Sequence, residues 1–462
     1  MSDAAAVIER IGAEGIRTVD FRFTDLAGHW RHLAREVGGV DGELLTQGVF
    51  IDGSAVAGWR DVTEADLLLR PDLASAFTDP FAAQPTLVLV CDVAEPGTGL
   101  GYERDPRSAA TRAEAYLRGC RYADEVRVLA DLSFFLFDEA RVELGPNRGL
   151  YALASGEQGG GRRDSQRPGP DAAYLALPPL DHMADIRAEI TSVLASLGIP
   201  GLKHAHGRGS AQNQICCLGG GLLEAADRIQ LLKYTVHQVA ASYGKVATFM
   251  AKPVADEAGS GMSVHQSLWR DGRPTFAGQG YADLSTLCLH FIAGVMAHAR
   301  ALNAFTNATT NSYKRLRPEQ DEPTLIAYAA YNRSAAVRIP YAARADDKRV
   351  EVRFPDPSAN PYLALTAILM AGLDGIEQKL EPGDAMDRNL YDLRPEEAED
   401  LASVSRSLDE ALSALEADHE FLTRGDVMPT DLIEAYIDVK RRECDLVART
   451  PHPMEFRLYL GL

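Results

Sequence analysis

Lys348-Arg-Val-Glu-Val-Arg-Phe-Pro-Asp-Pro-Ser-Ala-Asn-Pro-Tyr362 is the stretch whose reading decides the fold. The run from Val350 to Phe354 alternates, which points Glu351 and Arg353 to the same side of a strand. Two Pro-bounded turns follow, and then an Ala/Leu-rich helix is expected from about Leu363 to Leu373. A carboxylate beside a guanidinium suits a site that holds a cation and an anion together. An isolated Glu-x-Arg would more simply be a surface ion pair.

This one is not isolated. Upstream lie Phe50-Ile-Asp-Gly-Ser54 with Gly58-Trp59, then Phe134-Phe-Leu-Phe-Asp138, then Ala247-Thr-Phe-Met-Ala-Lys-Pro253. Gly259-Ser-Gly-Met262 and His265-Gln-Ser-Leu268 come next. Phe305-Thr-Asn307, Asn311-Ser-Tyr-Lys-Arg315 and Asn332-Arg-Ser-Ala-Ala-Val-Arg-Ile-Pro340 complete the series. In this order the blocks resemble the signatures of the glutamine synthetase family, type I. The resemblance spans nearly the whole chain and is specific for the fold. It is less specific for the reaction, which sits in individual residues. It implies an α+β protein. Residues 1–103 would form an N-terminal β-grasp domain, and 104–462 a larger catalytic domain with a curved antiparallel sheet and flanking helices.

The chain's 462 residues suffice for two domains and a large core. Its 46% hydrophobic and 24% charged content is that of a globular protein. A formal charge of −19 disfavours non-specific binding to nucleic acid or anionic membranes. No run of about 18 apolar residues predicts a membrane span, and Met1-Ser-Asp-Ala-Ala-Ala lacks the basic start of a signal peptide. A cytoplasmic protein is expected. Cys91, Cys120, Cys216, Cys217, Cys288 and Cys444 contain no Cys-x-x-Cys spacing and read as reduced, mostly buried thiols.

Strands are expected at Thr18–Phe23, Thr86–Val93, Arg127–Phe137, Gly209–Cys217 and Val350–Phe354. Helical spacing covers Asp181–Leu197, Leu222–Tyr243 and Leu284–Leu302, and a charged helical subdomain covers 394–449. Asp105-Pro-Arg-Ser starts a helix at the expected domain boundary. Gly156-Glu-Gln-Gly-Gly-Gly-Arg-Arg163 has no Gly-Lys-[Ser/Thr] ending and no strand before it, so it reads as a loop and not a phosphate cradle.

Members of the family activate a glutamate carboxylate with ATP as an acyl phosphate, which ammonia then displaces. The chemistry needs cations and arginines over the transferring phosphoryl group and a carboxylate to deprotonate the nucleophile. The resemblance assigns Arg333 and Arg338 to ATP phosphates and the acyl phosphate. It assigns Arg315, Arg353, Gly259 and His265 to the amino-acid substrate, and Ser267 and Arg349 to the nucleotide side. Asp52, accompanied by Asp66, matches the acidic residue that a neighbouring subunit contributes for ammonium. Asp321 falls where the family has a flap glutamate. The implied partners are an amino acid or other carboxylate, an amine, and further copies of the chain in a double-ring dodecamer.

The cation positions depart from the family pattern. The first site takes glutamates, and those positions hold Ser133, His206 and Gln214. The second takes two carboxylates and a histidine, and here holds Asp131, Glu351 and Ser263. Ser133 and Gln214 offer only neutral oxygens, whereas Mg²⁺ prefers anionic ones. The first site is therefore expected to be empty, and at most one Mg²⁺ is expected per site, together with ATP. His204, His206 and His265 near Asp131 and Glu351 could instead form a transition-metal site, although histidines on a strand are more often simple hydrogen-bonding groups. The expected function is an ATP-dependent carboxylate–amine ligase that differs from ordinary glutamine synthetase in its amine or acid. The alternatives are a family member without ATP chemistry, serving as a binding or structural assembly, and an enzyme that uses the amino-acid pocket for another reaction.

Overall fold

The computed structural model describes residues 3–157, 173–317, 322–399 and 401–460. Near the N-terminus lie six strands: β1 (Thr18–Thr24), β2 (Trp30–Glu36), β3 (Val49–Asp52), β4 (Asp66–Pro71), β5 (Phe77–Thr78) and β6 (Thr86–Ala94). They form one sheet in the order β2-β1-β6-β4-β3, with β5 beside β6. β1 and β6 run parallel, and their inward residues Val19, Phe21, Leu87 and Leu89 are fully buried. The next helix, Pro106–Gly119, begins where the sequence places it. The Asp105 side chain caps it, accepting from the amides of Arg107 and Ser108, and Pro106 occupies the first turn. Arg107 fastens the two halves together through ion pairs to Asp72 and Asp92 (2.7 Å each) and Asp227 (2.9 Å).

The remaining strands are β7 (Glu125–Phe137), the hairpin β8 (Glu139–Gly145) and β9 (Arg148–Ala154), β10 (Lys203–His206), β11 (Gln212–Gly220), β12 (Val246–Thr248), β13 (Met262–Arg270), β14 (Arg273–Pro274), β15 (Tyr328–Ala330), β16 (Val337–Ile339) and β17 (Val350–Val352). All but the hairpin join a nine-stranded sheet in the order β10-β11-β7-β13-β17-β16-β15, antiparallel except for β15 and β16. Helices Leu222–Ser242 and Pro106–Gly119 pack on its back, Pro361–Gln378 packs against both, and Thr286–Ala297 packs on Pro361–Gln378. Pro361–Gln378 is buried through to Ile376 and meets Thr286–Ala297 backbone to backbone where Gly375 faces Gly294. A Cβ on Gly375 would lie 2.2 Å from the His290 carbonyl oxygen, so only glycine permits this approach.

The helix expected over Leu284–Leu302 is instead two, Thr286–Ala297 and Ala299–Thr306, which meet at His298. The His298 imidazole bonds Asp418 (2.8 Å) and Asp374 (3.1 Å), so the break recruits a side chain to tie the C-terminal helices down. Of the glycine-rich 156–163 stretch, only Gly156 and Glu157 fall within the described residues.

Candidate functional site

Strand register assembles the site. Gln214 lies opposite Ser133, Asp131 opposite Ser263, His265 opposite Glu351, and Glu351 opposite Arg338. Residues paired across antiparallel strands share a face, and so do alternate residues along one strand. The result is a polar stripe across five strands, β11 to β16, that floors a cavity of about 460 Å³. Of the residues assigned from the sequence, Asp131, Ser133, Gln214, Gly259, Ser263, His265, Arg315, Arg333, Arg338, Arg349, Glu351 and Arg353 all line it.

Glu351 is the electrostatic centre. Arg338 Nη1 donates to one of its oxygens at 2.6 Å and Arg353 Nη1 to the other at 2.7 Å. Burial alone would push this carboxyl up, but the Arg353, His265 and Arg338 charges outweigh it and hold it at about 2. Asp131 shows the same contest. Burial raises it, while His265 (3.7 Å) and the Cys217 amide (2.8 Å) bring it below the ordinary carboxylate value. The His265 ring lies between Arg349, whose Nε is 3.4 Å from Nδ1, and Asp131, 3.7 Å from Nε2.

Arg315 is almost wholly buried. It donates to the carbonyls of Phe354 (2.9 Å), Pro355 (3.1 Å) and Arg353 (3.3 Å), and pairs with Glu322 at 2.7 Å. The two glycines of Gly259-Ser-Gly261 make room for it: a Cβ on either would stand within 2.8 Å of the Arg315 side chain.

The first cation position does not fit Mg²⁺. Gln214 Nε2 donates to Ser133 Oγ at 3.1 Å, a neutral pair where the resemblance places carboxylates. His206 does not complete the set. It pairs with Asn213 and His204 with Ile215, so both histidines take the face opposite Gln214 and His265. The transition-metal site considered for His204, His206 and His265 is thereby excluded by the two-residue period of the strand.

His206 belongs to a buried cluster with Glu157 and Asp181, whose ligand atoms lie within 4.8 Å of one another. The cluster is a closed ionic network. His206 Nε2 meets Glu157 at 3.0 Å and Nδ1 meets the Gly207 carbonyl at 3.0 Å. Asp181 pairs with Arg187, which reaches Asn213 Oδ1 at 2.6 Å. The second cation position keeps two carboxylates, Asp131 and Glu351, both already engaged by protein donors.

Ser267 lines an adjoining cavity with Arg349, and its hydroxyl accepts from the Trp269 indole at 3.1 Å. Asp52 is exposed on β3, opposite Asp66, and binds Ser54 N at 2.9 Å; it does not line its own chain's cavity. Asp321 lies outside the described residues.

The sequence reading missed Lys203, Arg208, Gln212 and Glu322, which also line the cavity, and the Cys216–Cys217 pair. A bulge between Ile215 and Leu218, with Cys217 at φ 69°, turns both thiols to the cavity. Burial pushes the Cys216 thiol up to about 12, so it is an inert group there. The register of β10 would have revealed Lys203, but that register is set by the strand's partner.

Two family models match the chain. "Glutamine synthetase, beta-Grasp domain" matches residues 15–96, and "Glutamine synthetase, catalytic domain" matches 103–459. The chain belongs to the glutamine synthetase family. It is 47% identical to the glutamine synthetase of Azospirillum brasilense, over the full length of both chains. It is 45% identical to the 3-hydroxylaminophenol mutase of Cupriavidus pinatubonensis, over 99% of each. Its fold is that of the Plasmodium falciparum glutamine synthetase solved by cryo-electron microscopy, with a TM-score of 0.91 at 25% identity and 99% coverage of both. It also matches GmaS in complex with ADP, with a TM-score of 0.85 at 29% identity over the whole of each chain. No helix among the described residues is long and apolar enough to cross a membrane.

Proposed function

We propose that this chain acts on the carboxylate of an amino acid or dicarboxylate as an ATP-dependent carboxylate–amine ligase, with an acid or amine other than glutamate and ammonia. The observation that carries this is the pairing of a kept arginine set with a rewritten cation site: Arg315, Arg333, Arg338, Arg349 and Arg353 line one cavity, while Ser133 and Gln214 bond each other. Arg353 holds the ligand carboxylate and Arg338 the transferring phosphoryl group, since guanidinium forks match both geometries. Asp131 and Glu351 would hold a Mg²⁺ that arrives with nucleotide phosphates, because Mg²⁺ keeps several waters and needs few protein ligands. When bound, that ion neutralises phosphate charge. Asp52 serves a neighbouring copy's cavity in a ring assembly, and exposed Phe50 beside it (64%) suits burial between subunits. The protein works in the cytoplasm.

Calorimetry on the assembled protein tests the reading, with ATP and Mg²⁺ first, then amino acids and amines. Failure of any carboxylate to bind would overturn it. A second reading, a binding protein or repurposed enzyme without ATP chemistry, is favoured by one observation: Glu351 already carries two guanidinium partners, which a cation would have to displace. ATP failing to bind with Mg²⁺ present would decide for it.

A further inference from the structure

Two tyrosines stand in solvent beside the arginine cavity. Tyr331 is 54% exposed and Tyr341 72%, and their rings lie 6.1 Å apart between centroids, tilted by 46°. Each adjoins a residue of the cavity: Tyr341 follows Pro340, and Tyr331 lies two positions before Arg333. Arg333 also lines a second hollow of about 860 Å³, whose wall includes Tyr331. The two hollows therefore meet at Arg333, whose guanidinium has no hydrogen bond or ion pair among the described residues. The backbone sets Tyr331 apart as well. It sits at φ 62°, a left-handed conformation that a bulky side chain adopts only at a cost. The segment that carries it is held firmly. The Tyr331 amide donates to the Ile339 carbonyl at 3.0 Å, and Asn332 Nδ2 donates to the carbonyls of Arg388 (2.7 Å) and Met386 (3.1 Å). The Arg333 carbonyl accepts from Arg353 Nε at 3.0 Å and from the Tyr391 hydroxyl at 3.2 Å. A large ring is thus fixed in a strained position where it covers none of the core.

We propose that Tyr331 and Tyr341 form an aryl subsite: a ligand that reacts in the arginine cavity carries an aromatic ring on a short tether, which leaves the cavity past Arg333 and packs on the two tyrosines. The inference rests on the carboxylate–amine ligase reading and names the substrate class which that reading leaves open, an aryl-substituted acid or an aryl-substituted amine. Two rings tilted by 46° offer a third ring one face to stack on and one edge to meet. Rigid aromatic side chains on a fixed backbone give contact area at small entropic cost. The free Arg333 guanidinium beside them adds a cation for the ligand's π face. Glutamate and ammonia carry nothing that could use this surface.

The test is titration calorimetry of the assembled full-length chain with two matched pairs of probes. Butyrate is compared with 4-phenylbutyrate, and ethylamine with 2-phenylethylamine in the presence of saturating butyrate. The expected result is that the aryl member of one pair binds roughly tenfold tighter than its parent. That pair tells whether the acid or the amine carries the ring. Tyr331→Ala with Tyr341→Ala should bring the aryl probe down to its parent and leave butyrate unchanged. Tyr331→Phe with Tyr341→Phe should keep the margin, because the ring and not the hydroxyl makes the contact. Tyr331→Gly should reduce the margin in a protein that melts near the wild-type temperature, since glycine adopts φ 62° freely. Three results overturn the subsite: aryl and parent probes binding alike in both pairs, a margin that persists in the double alanine variant, or an assembly that falls apart in that variant by light scattering, which would make the tyrosines a contact between copies. The subsite then fails while butyrate still reports an intact carboxylate pocket in the wild-type chain. Absence of binding by both acids overturns the pocket reading as well.

Discussion

The two walls of the cavity follow opposite rules. On the β13–β17 side, in the middle of the sheet, charges are matched: buried Glu351 with Arg338 and Arg353, and partly exposed Asp131 with His265. On the β10–β11 side, at the sheet edge, the floor is a neutral Ser133–Gln214 pair and the rim an exposed lysine. The difference is one of dielectric. Removing one partner of a buried pair strands the other, at a cost of about 3–5 kcal/mol. At the exposed rim of the edge strand, around Lys203, water screens a change of charge and the cost is small. The centre therefore holds its chemistry rigidly, while the edge is where the reaction can be changed.

The largest effect that distinguishes the walls is on glutamine formation. With neutral groups at Ser133 and Gln214, the ammonia-plus-glutamate rate should fall below that of ordinary glutamine synthetases by on the order of 10³-fold. A standard assay that returns ordinary turnover would show that the edge wall does not govern the reaction.

The next effect concerns the far face of that wall. Ser133→Glu with Gln214→Glu should confer divalent-cation binding, seen by calorimetry. His206→Glu should confer none, and should destabilise the fold by about 3 kcal/mol in urea melts, because it adds a third carboxylate to Glu157 and Asp181. Cation binding by His206→Glu in a fully stable protein would put residue 206 on the wrong face here. The third effect is on the central wall. Arg353→Ala should weaken carboxylate binding roughly 100-fold, since it removes a ligand clamp and half of Glu351's compensation. A change within twofold would move the clamp elsewhere.

The central wall was legible from the sequence and the edge wall was not. Glu351 and Arg353 are two residues apart in one alternating run, so their shared face follows from local geometry, and the structure pairs them at 2.7 Å although β17 ends at Val352. The Asn360–Pro361 cap of the following helix is likewise a local signal. Lys203, His206 and the cysteines depend on how β10 and β11 pair and on a bulge at Cys216–Cys217. One residue of register reverses every side chain there. The partner of His206, Glu157, lies 49 positions away in a stretch that reads as loop.

The smallest effect is a pH dependence beneath the edge wall. Both His206 ring nitrogens face acceptors, the Glu157 carboxylate and the Gly207 carbonyl, and only the imidazolium can donate to both. Burial works against that charge, but the Glu157 bond wins and raises His206 above its ordinary 6.5. Burial likewise pushes Glu157 up, and the His206 bond outweighs it, bringing Glu157 below its ordinary 4.5. A raised histidine contributes stability that is fully present below 6.5 and is lost as pH rises through its folded value. A lowered glutamate contributes stability that is present above 4.5 and is lost as pH falls through its folded value. The pair is therefore worth most between 4.5 and 6.5. The stability difference between the wild-type chain and His206→Gln, read from denaturant melts, should peak in that window and shrink by about 1 kcal/mol on the alkaline side. A difference that stays flat, or grows toward alkaline pH, would mean that His206 is held neutral. The platform under the edge wall would then be an ordinary hydrogen-bonded core and not an ion network.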